Sequence, residues 1–154
     1  MDKPEETILI IVRGKPAPQG SKVSTRYGGM REASQYVMPW RNQIVSACIE
    51  QKINCGNIIE TPVEMFIEFQ FHRPQGHYGT GRNEGILKKS APQYPITRST
   101  GDIDKLCRST LDGLSIPSGG ILLRDDSLVV RLKATKSFAT KGGFQGAFIH
   151  IWKL

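Results

Sequence analysis

Hydrophobic and polar residues alternate most cleanly between Pro62 and His72, with Val63, Met65, Ile67, Phe69 and Phe71 on one side and Glu64, Phe66, Glu68, Gln70 and His72 on the other. A period of two predicts a strand with one face in a core. Thr7 to Arg13 is a β-branched run that predicts another strand. It ends in Gly14-Lys15-Pro16-Ala17-Pro18-Gln19-Gly20-Ser21-Lys22, whose prolines and glycines exclude regular structure. From Leu128 to Lys136, Val130, Leu132 and Ala134 share one face, expected to pack, while Val129, Arg131, Lys133 and Thr135 share the other, free to carry cations toward phosphate. Gly146 to Trp152 alternates Ala147, Ile149 and Ile151 with Phe148, His150 and Trp152. Two segments change period. Ile44, Val45, Cys48 and Ile49 recur at helical spacing in 40–53 behind Pro39, and Ile103, Leu106, Cys107, Thr110, Leu111 and Leu114 form an apolar stripe over 103–115. The expected fold is α+β: a single domain over 1–154, with a two-layer arrangement of a mostly antiparallel sheet packed with two helices.

Between Arg73 and Thr100 neither period holds. Glycines and prolines are interleaved there with His77, Arg82, Lys88, Lys89, Arg98, Tyr78 and Tyr94. A loop this long inside a domain is functional or a solvated insertion. Its cations suit phosphates and its tyrosines suit stacking on unpaired bases, so nucleic-acid contact is the expectation. The whole chain leans the same way, with 21 Lys plus Arg against 14 Asp plus Glu and a net charge of +7. No apolar run reaches the roughly 18 residues of a membrane span, and the N-terminus lacks the basic start and apolar stretch of a signal peptide; a cytoplasmic protein with no membrane partner is expected. Cys48, Cys55 and Cys107 are odd in number, with no C-x-x-C pair, which points to reduced thiols rather than disulfides or zinc.

Against this cationic background the carboxylates stand out. Asp102-Ile103-Asp104 opens the second helix, and Asp125-Asp126 stands at the mouth of the strand that follows. Carboxylates without histidine or cysteine suit a hard cation, Mg²⁺ above all. A cationic field that draws in a polyanion, around carboxylates that hold an ion able to attack it, is the make-up of a metal-dependent nuclease. One aspartate at a helix start is also explained as an N-cap. Asp112 lies about 12 Å along the helix from Asp104, too far to share an ion, and is expected to pair with Arg108. Two other readings stay open: a non-catalytic DNA-binding protein, which leaves the acidic groups unexplained, and a Mg²⁺-dependent nucleotide or sugar-phosphate transferase using the D-x-D pair. The transferase would want a phosphate-cradling turn that Gly14 to Lys22 does not supply.

Taken in order, Gly14-x-Pro16-x-Pro18-x-Gly20-Ser21-Lys22, Gly101-Asp102-Ile103-Asp104-Lys105-Leu106-x-Arg108-x-x-Leu111-Asp112-Gly113-Leu114 and Arg124-Asp125-Asp126-Ser127-x-Val129-Val130, followed by Lys136, resemble the RusA family of Holliday junction resolvases. The resemblance spans nearly the whole chain. It implies Mg²⁺-dependent hydrolysis of DNA at a four-way junction, in recombination and repair, by a homodimer. It implies that Asp102, Asp104 and Asp126 are the catalytic, metal-binding carboxylates, with Asp125 the alternative ligand within its pair. Arg108 stands where the family has an essential lysine, and it keeps the charge while exchanging a point ammonium for a planar fork. Lys105 stands where an asparagine often follows D-x-D. The candidate DNA contacts are Lys15, Lys22, Arg82, Lys88, Lys89, Arg98, Lys105, Arg131, Lys133 and Lys136.

Overall fold

In the computed structural model, residues 7–20, 22–24, 26–28, 30–32 and 35–154 are described, the strands at 22–24 and 30–32 by backbone alone. The elements in chain order are β1 (Thr7–Arg13), β2 (Lys22–Ser24), β3 (Met30–Glu32), α1 (Val37–Glu50), β4 (Val63–Phe71), α2 (Ile103–Leu114), β5 (Val129–Phe138) and β6 (Gly146–Lys153), with short 3-10 turns between them. The main sheet has the order β1-β6-β4-β5. β1 with β6 and β6 with β4 are antiparallel, whereas β4 and β5 run parallel. A parallel pair needs a long crossover, and here the 73–100 loop and α2 supply it. The α+β, two-layer architecture is therefore as expected, and all four main strands lie where the sequence pattern predicts them.

Both helices pack on one face of this sheet over a shared core. Ile8, Ile10 and Val12 of β1, Val63, Met65, Ile67, Phe69 and Phe71 of β4, and Ala147, Ile149 and Ile151 of β6 meet Trp40 and Ile44 of α1 and Leu106 and Leu114 of α2. Trp40 is fully buried and donates its indole N–H to Thr110 Oγ1 at 3.1 Å, which fastens the two helices to each other. No helix of the described residues is long and apolar enough to cross a membrane.

Four expectations need correction. Lys22 does not belong to a structureless loop: it opens β2, which pairs antiparallel with β3. Helix α1 runs from Val37 to Glu50 rather than over 40–53, although Pro39 falls in its first turn as expected, where backbone N–H groups have no intrahelical partner to lose. Ile49 is 62% exposed, because the helix buries the Ile44, Ala47 and Cys48 side instead. On β5, Val130 and Leu132 are 58% and 45% exposed; β5 is an edge strand at the margin of the helical layer, so only Val129, Ala134 and Phe138 of it pack against the core.

The burial of Trp40 predicts that Trp40→Ala lowers the unfolding free energy by about 3–5 kcal/mol in urea melts. A loss below about 1 kcal/mol would mean that the helices are held together elsewhere.

Candidate functional site

Helix α2 is turned so that Leu106, Thr110 and Leu114 face the core, which leaves Asp104 and Arg108, one turn apart, on the open side. Asp126 begins a 3-10 turn, Asp126–Leu128, that delivers the chain into β5. Because β5 runs alongside α2, these three side chains line one groove of about 400 Å³ with Ile103, Cys107, Leu111, Leu132 and Ala134. The apolar floor is the part of the α2 stripe and of the β5 face that the core does not cover. Larger cavities of about 530 and 510 Å³ lie away from the carboxylates.

Asp102 occupies the N-cap position of α2 without making a side-chain cap. Its carboxylate meets Lys105 Nζ at 3.4 Å and is largely exposed, outside the residues that line the groove. Of the Asp125-Asp126 pair, Asp126 lines the groove while remaining exposed, and Asp125 is half-buried outside it. Ser127 Oγ donates to Asp125 Oδ2 at 2.7 Å, and that hydrogen bond holds the Asp125 carboxyl below its ordinary value. Partial desolvation, then the charges of Asp125 and Asp112, push Asp126 above its ordinary value. Burial, and then Asp104, raise the Cys107 thiol in the groove floor to about 11, so it stays protonated and inert.

The strap at 17–20 braces this side of α2. Ser109 Oγ donates to Ala17 O at 2.5 Å and the Gln19 backbone N–H to Lys105 O at 3.0 Å. Gly101, just before the helix, has φ +85, and a Cβ there would lie 2.6 Å from Pro18 Cγ. Asp112 does not pair with Arg108, contrary to expectation. Gln19 Nε2 donates to Asp112 Oδ2 at 2.5 Å, with Ser118 Oγ at 3.5 Å from the other oxygen. Gln19 gave no signal in the sequence, since a loop glutamine is unremarkable until the fold buries it.

The candidate cations scatter. Lys136 Nζ donates to Gly101 O at 2.9 Å, at the entrance to α2. Lys15 Nζ lies 4.9 Å from the Tyr36 ring centroid. Arg131 and Lys133 are on the sheet face opposite the helices, Arg131 3.9 Å from Glu64 and Lys133 over the Phe66 ring. The Lys22 side chain lies outside the described residues. Arg82, Lys88, Lys89 and Arg98 are all exposed on the 73–100 loop. That loop is ordered at its base rather than loose: Arg73 stacks over Phe138 and donates to Pro92 O at 2.7 Å, and Gly79 N–H donates to Ile86 O.

Among the described residues no three His, Cys, Asp or Glu side chains share one coordination sphere. Two carboxylates do face one groove, Asp104 and Asp126. That suits a Mg²⁺ ion, which binds through one or two carboxylates and otherwise keeps its waters or takes phosphate oxygens. Residues 13–149 match the family model described as Endodeoxyribonuclease RusA. No curated protein matches the chain.

The opposite environments of the neighbouring aspartates predict the order in which they titrate. As pH rises in metal-free protein, Asp125 should lose its proton first and Asp126 at higher pH, as read by carboxyl ¹³C shifts. The reverse order would mean that Asp125, not Asp126, is the desolvated carboxylate.

Proposed function

Because the chain belongs to the RusA family of endodeoxyribonucleases, which resolve crossover junctions by hydrolysing phosphodiester bonds, we propose that the groove between α2 and β5 is where this protein cuts DNA, with Mg²⁺ held by Asp104 and Asp126 and assisted by Asp102. The carrying observation is that Asp104 and Arg108, from successive turns of α2, and Asp126, from the start of β5, line a single groove. Bound there, a divalent cation supplies Lewis acidity toward a phosphate and a more acidic water. Asp104 and Asp126 would hold it, both lining the groove, with Asp125, engaged by Ser127, as an auxiliary. Arg108 offsets the charge that builds on the phosphate as the attacking oxygen enters, and its fork suits two phosphate oxygens at once. Asp104, Arg108 and Asp126 are all exposed, so a phosphate can reach them from solvent. Lys136 fixes the Gly101 carbonyl and through it the approach to Asp102.

Attraction of the junction falls chiefly to the loop. Lys105, Lys136, Lys133, Arg131 and Lys15 are engaged with Asp102, Gly101, Phe66, Glu64 and Tyr36 respectively, whereas Arg82, Lys88, Lys89 and Arg98 project into solvent. Two symmetric nicks require two grooves, so the acting species is a homodimer working in recombination and repair in the cytoplasm. Acidic side chains repel phosphate unless a cation stands between, so a groove with two of them argues for cleavage over passive binding.

Asp104→Asn and Asp126→Asn should each abolish Mg²⁺-dependent cleavage of a synthetic four-way junction while leaving its binding intact or tighter. Arg108→Lys should keep most activity, and Arg108→Ala should lose on the order of 10²-fold or more. Full activity in any of the loss variants would remove that residue from the site.

Neutralising Lys88, Lys89 and Arg98 together should weaken junction binding and flatten its dependence on salt, by up to about 0.9 in the log–log slope for each phosphate that these cations no longer neutralise. The melting temperature should hardly move, since these side chains are exposed. An unchanged slope would shift the DNA path away from the loop.

A further inference from the structure

Gln19 lies in the strap beside the groove, packed against α2. It is only 9% exposed, held at its backbone by Lys105 O and at its amide nitrogen by Asp112. Yet its Oε1 is the one buried side-chain polar atom without a partner among the described residues. A buried acceptor left unpaired is costly, so its retention asks for a donor that arrives in another state of the protein. A donor stands nearby. The Arg108 guanidinium makes no hydrogen bond or ion pair among the described residues, and a Cβ on Gly20, the residue after Gln19, would lie 3.7 Å from Arg108 Nη1. Asp112, which anchors Gln19, is one helical turn beyond Arg108 on the same side of α2.

We propose that Gln19 is a positioning residue for Arg108: anchored through Nε2 on Asp112, it offers Oε1 to one guanidinium N–H and leaves the remaining donors aimed at the scissile phosphate. The inference rests on the role given to Arg108 above. Arginine has five donors in a rigid fork and no fixed direction of its own at the end of a long stem. A neutral acceptor orients that fork without cancelling its charge, which a carboxylate in direct contact would do. Asp112 is thus kept one step away, its charge engaged by the amide. Lysine, with three rotatable donors on a compact head, needs no such guide, and the arrangement accounts for why an arginine can serve here.

The test is a double-mutant cycle on single-turnover cleavage of a synthetic four-way junction, with junction binding and thermal melting measured alongside. Gln19→Met keeps the length and removes both amide functions. It should slow cleavage by about ten- to a hundredfold with junction Kd unchanged, and should cost nothing further in an Arg108→Ala background. Asp112→Ala, which cuts the anchor from the other side, should behave the same way, while Asp112→Asn, still able to accept from Nε2, should retain activity. Equal losses from Gln19→Met with and without Arg108, or full activity of both Gln19→Met and Asp112→Ala, would overturn the proposal. If Arg108→Ala alone is fully active, the role of Arg108 fails first, and that result is read independently of the Gln19 variants.

Discussion

Helix α2 can take only one rotation about its axis. Leu106 and Leu114 are completely buried, and Thr110 between them accepts the Trp40 indole N–H while donating to Leu106 O at 2.8 Å. Turning the helix by one residue would carry a leucine into water and an aspartate into the core, at a cost of several kcal/mol on either count. The same rotation sets Asp104, Arg108 and Asp112 in a line on the other side. Ser109 and the strap at 17–20 then close the flank that the sheet leaves open. The positions of the charged groups are therefore fixed by hydrophobic burial on the opposite side of the helix, with no need for the charges to hold one another.

The parallel pairing of β4 with β5 supplies the second half of the groove. A hairpin would have returned the chain beside β4 within a few residues, whereas the crossover carries it over the sheet and back in through Asp125 and Asp126 at the start of β5. One residue decides which aspartate lines the groove. Asp125 is extended and takes the hydroxyl of Ser127, so Asp126 enters the groove and meets the field of Asp112 as well as of its neighbour. The sheet face away from the helices is finished differently. Phe66, His150 and Trp152 stack at 5.4 and 6.1 Å between centroids, with Lys133 5.0 Å over Phe66 and Glu68 2.8 Å from His150. This ladder covers the face where no helix layer lies, and it engages Lys133, which would otherwise be a free candidate DNA contact.

Period revealed three of the four long strands and both helices, with the β-branched run of Thr7 to Arg13 supplying the fourth, because Val63 to Phe71 and the Leu106–Leu114 stripe bury one side each and period is what burial imposes. It could not reveal what depends on neighbours. Val130 and Leu132 alternate like core residues, yet lie exposed because β5 is an edge, and strand order is not written in alternation. The hairpin of β2 and β3 is three residues a side, too short for a period to register. The carboxylates were legible as motifs; that Asp104 and Asp126 share a groove while Asp102 turns to Lys105 was not, since both outcomes satisfy the same spacing. Asp112 was misassigned for the same reason: i to i+4 geometry permits a pair with Arg108, and only the folded strap brings Gln19 close enough to take it instead.

That exchange of partners bears on the chemistry. An Arg108–Asp112 ion pair would have lowered the positive potential in the groove and tied the guanidinium back along the helix, competing with phosphate for the same donors. With Asp112 engaged by a neutral amide, the charge of Arg108 remains available, and the negative charge of Asp112 still adds to the field at Asp126. The groove thus keeps opposite charges near each other without letting them neutralise. A cation and a phosphate need that separation if both are to bind at one place, because each would otherwise meet a partner already satisfied. The strap achieves this with a single glutamine, braced by a glycine on either side of the interface: Gly20 beside Arg108, and Gly101 where Pro18 leaves no room for a side chain.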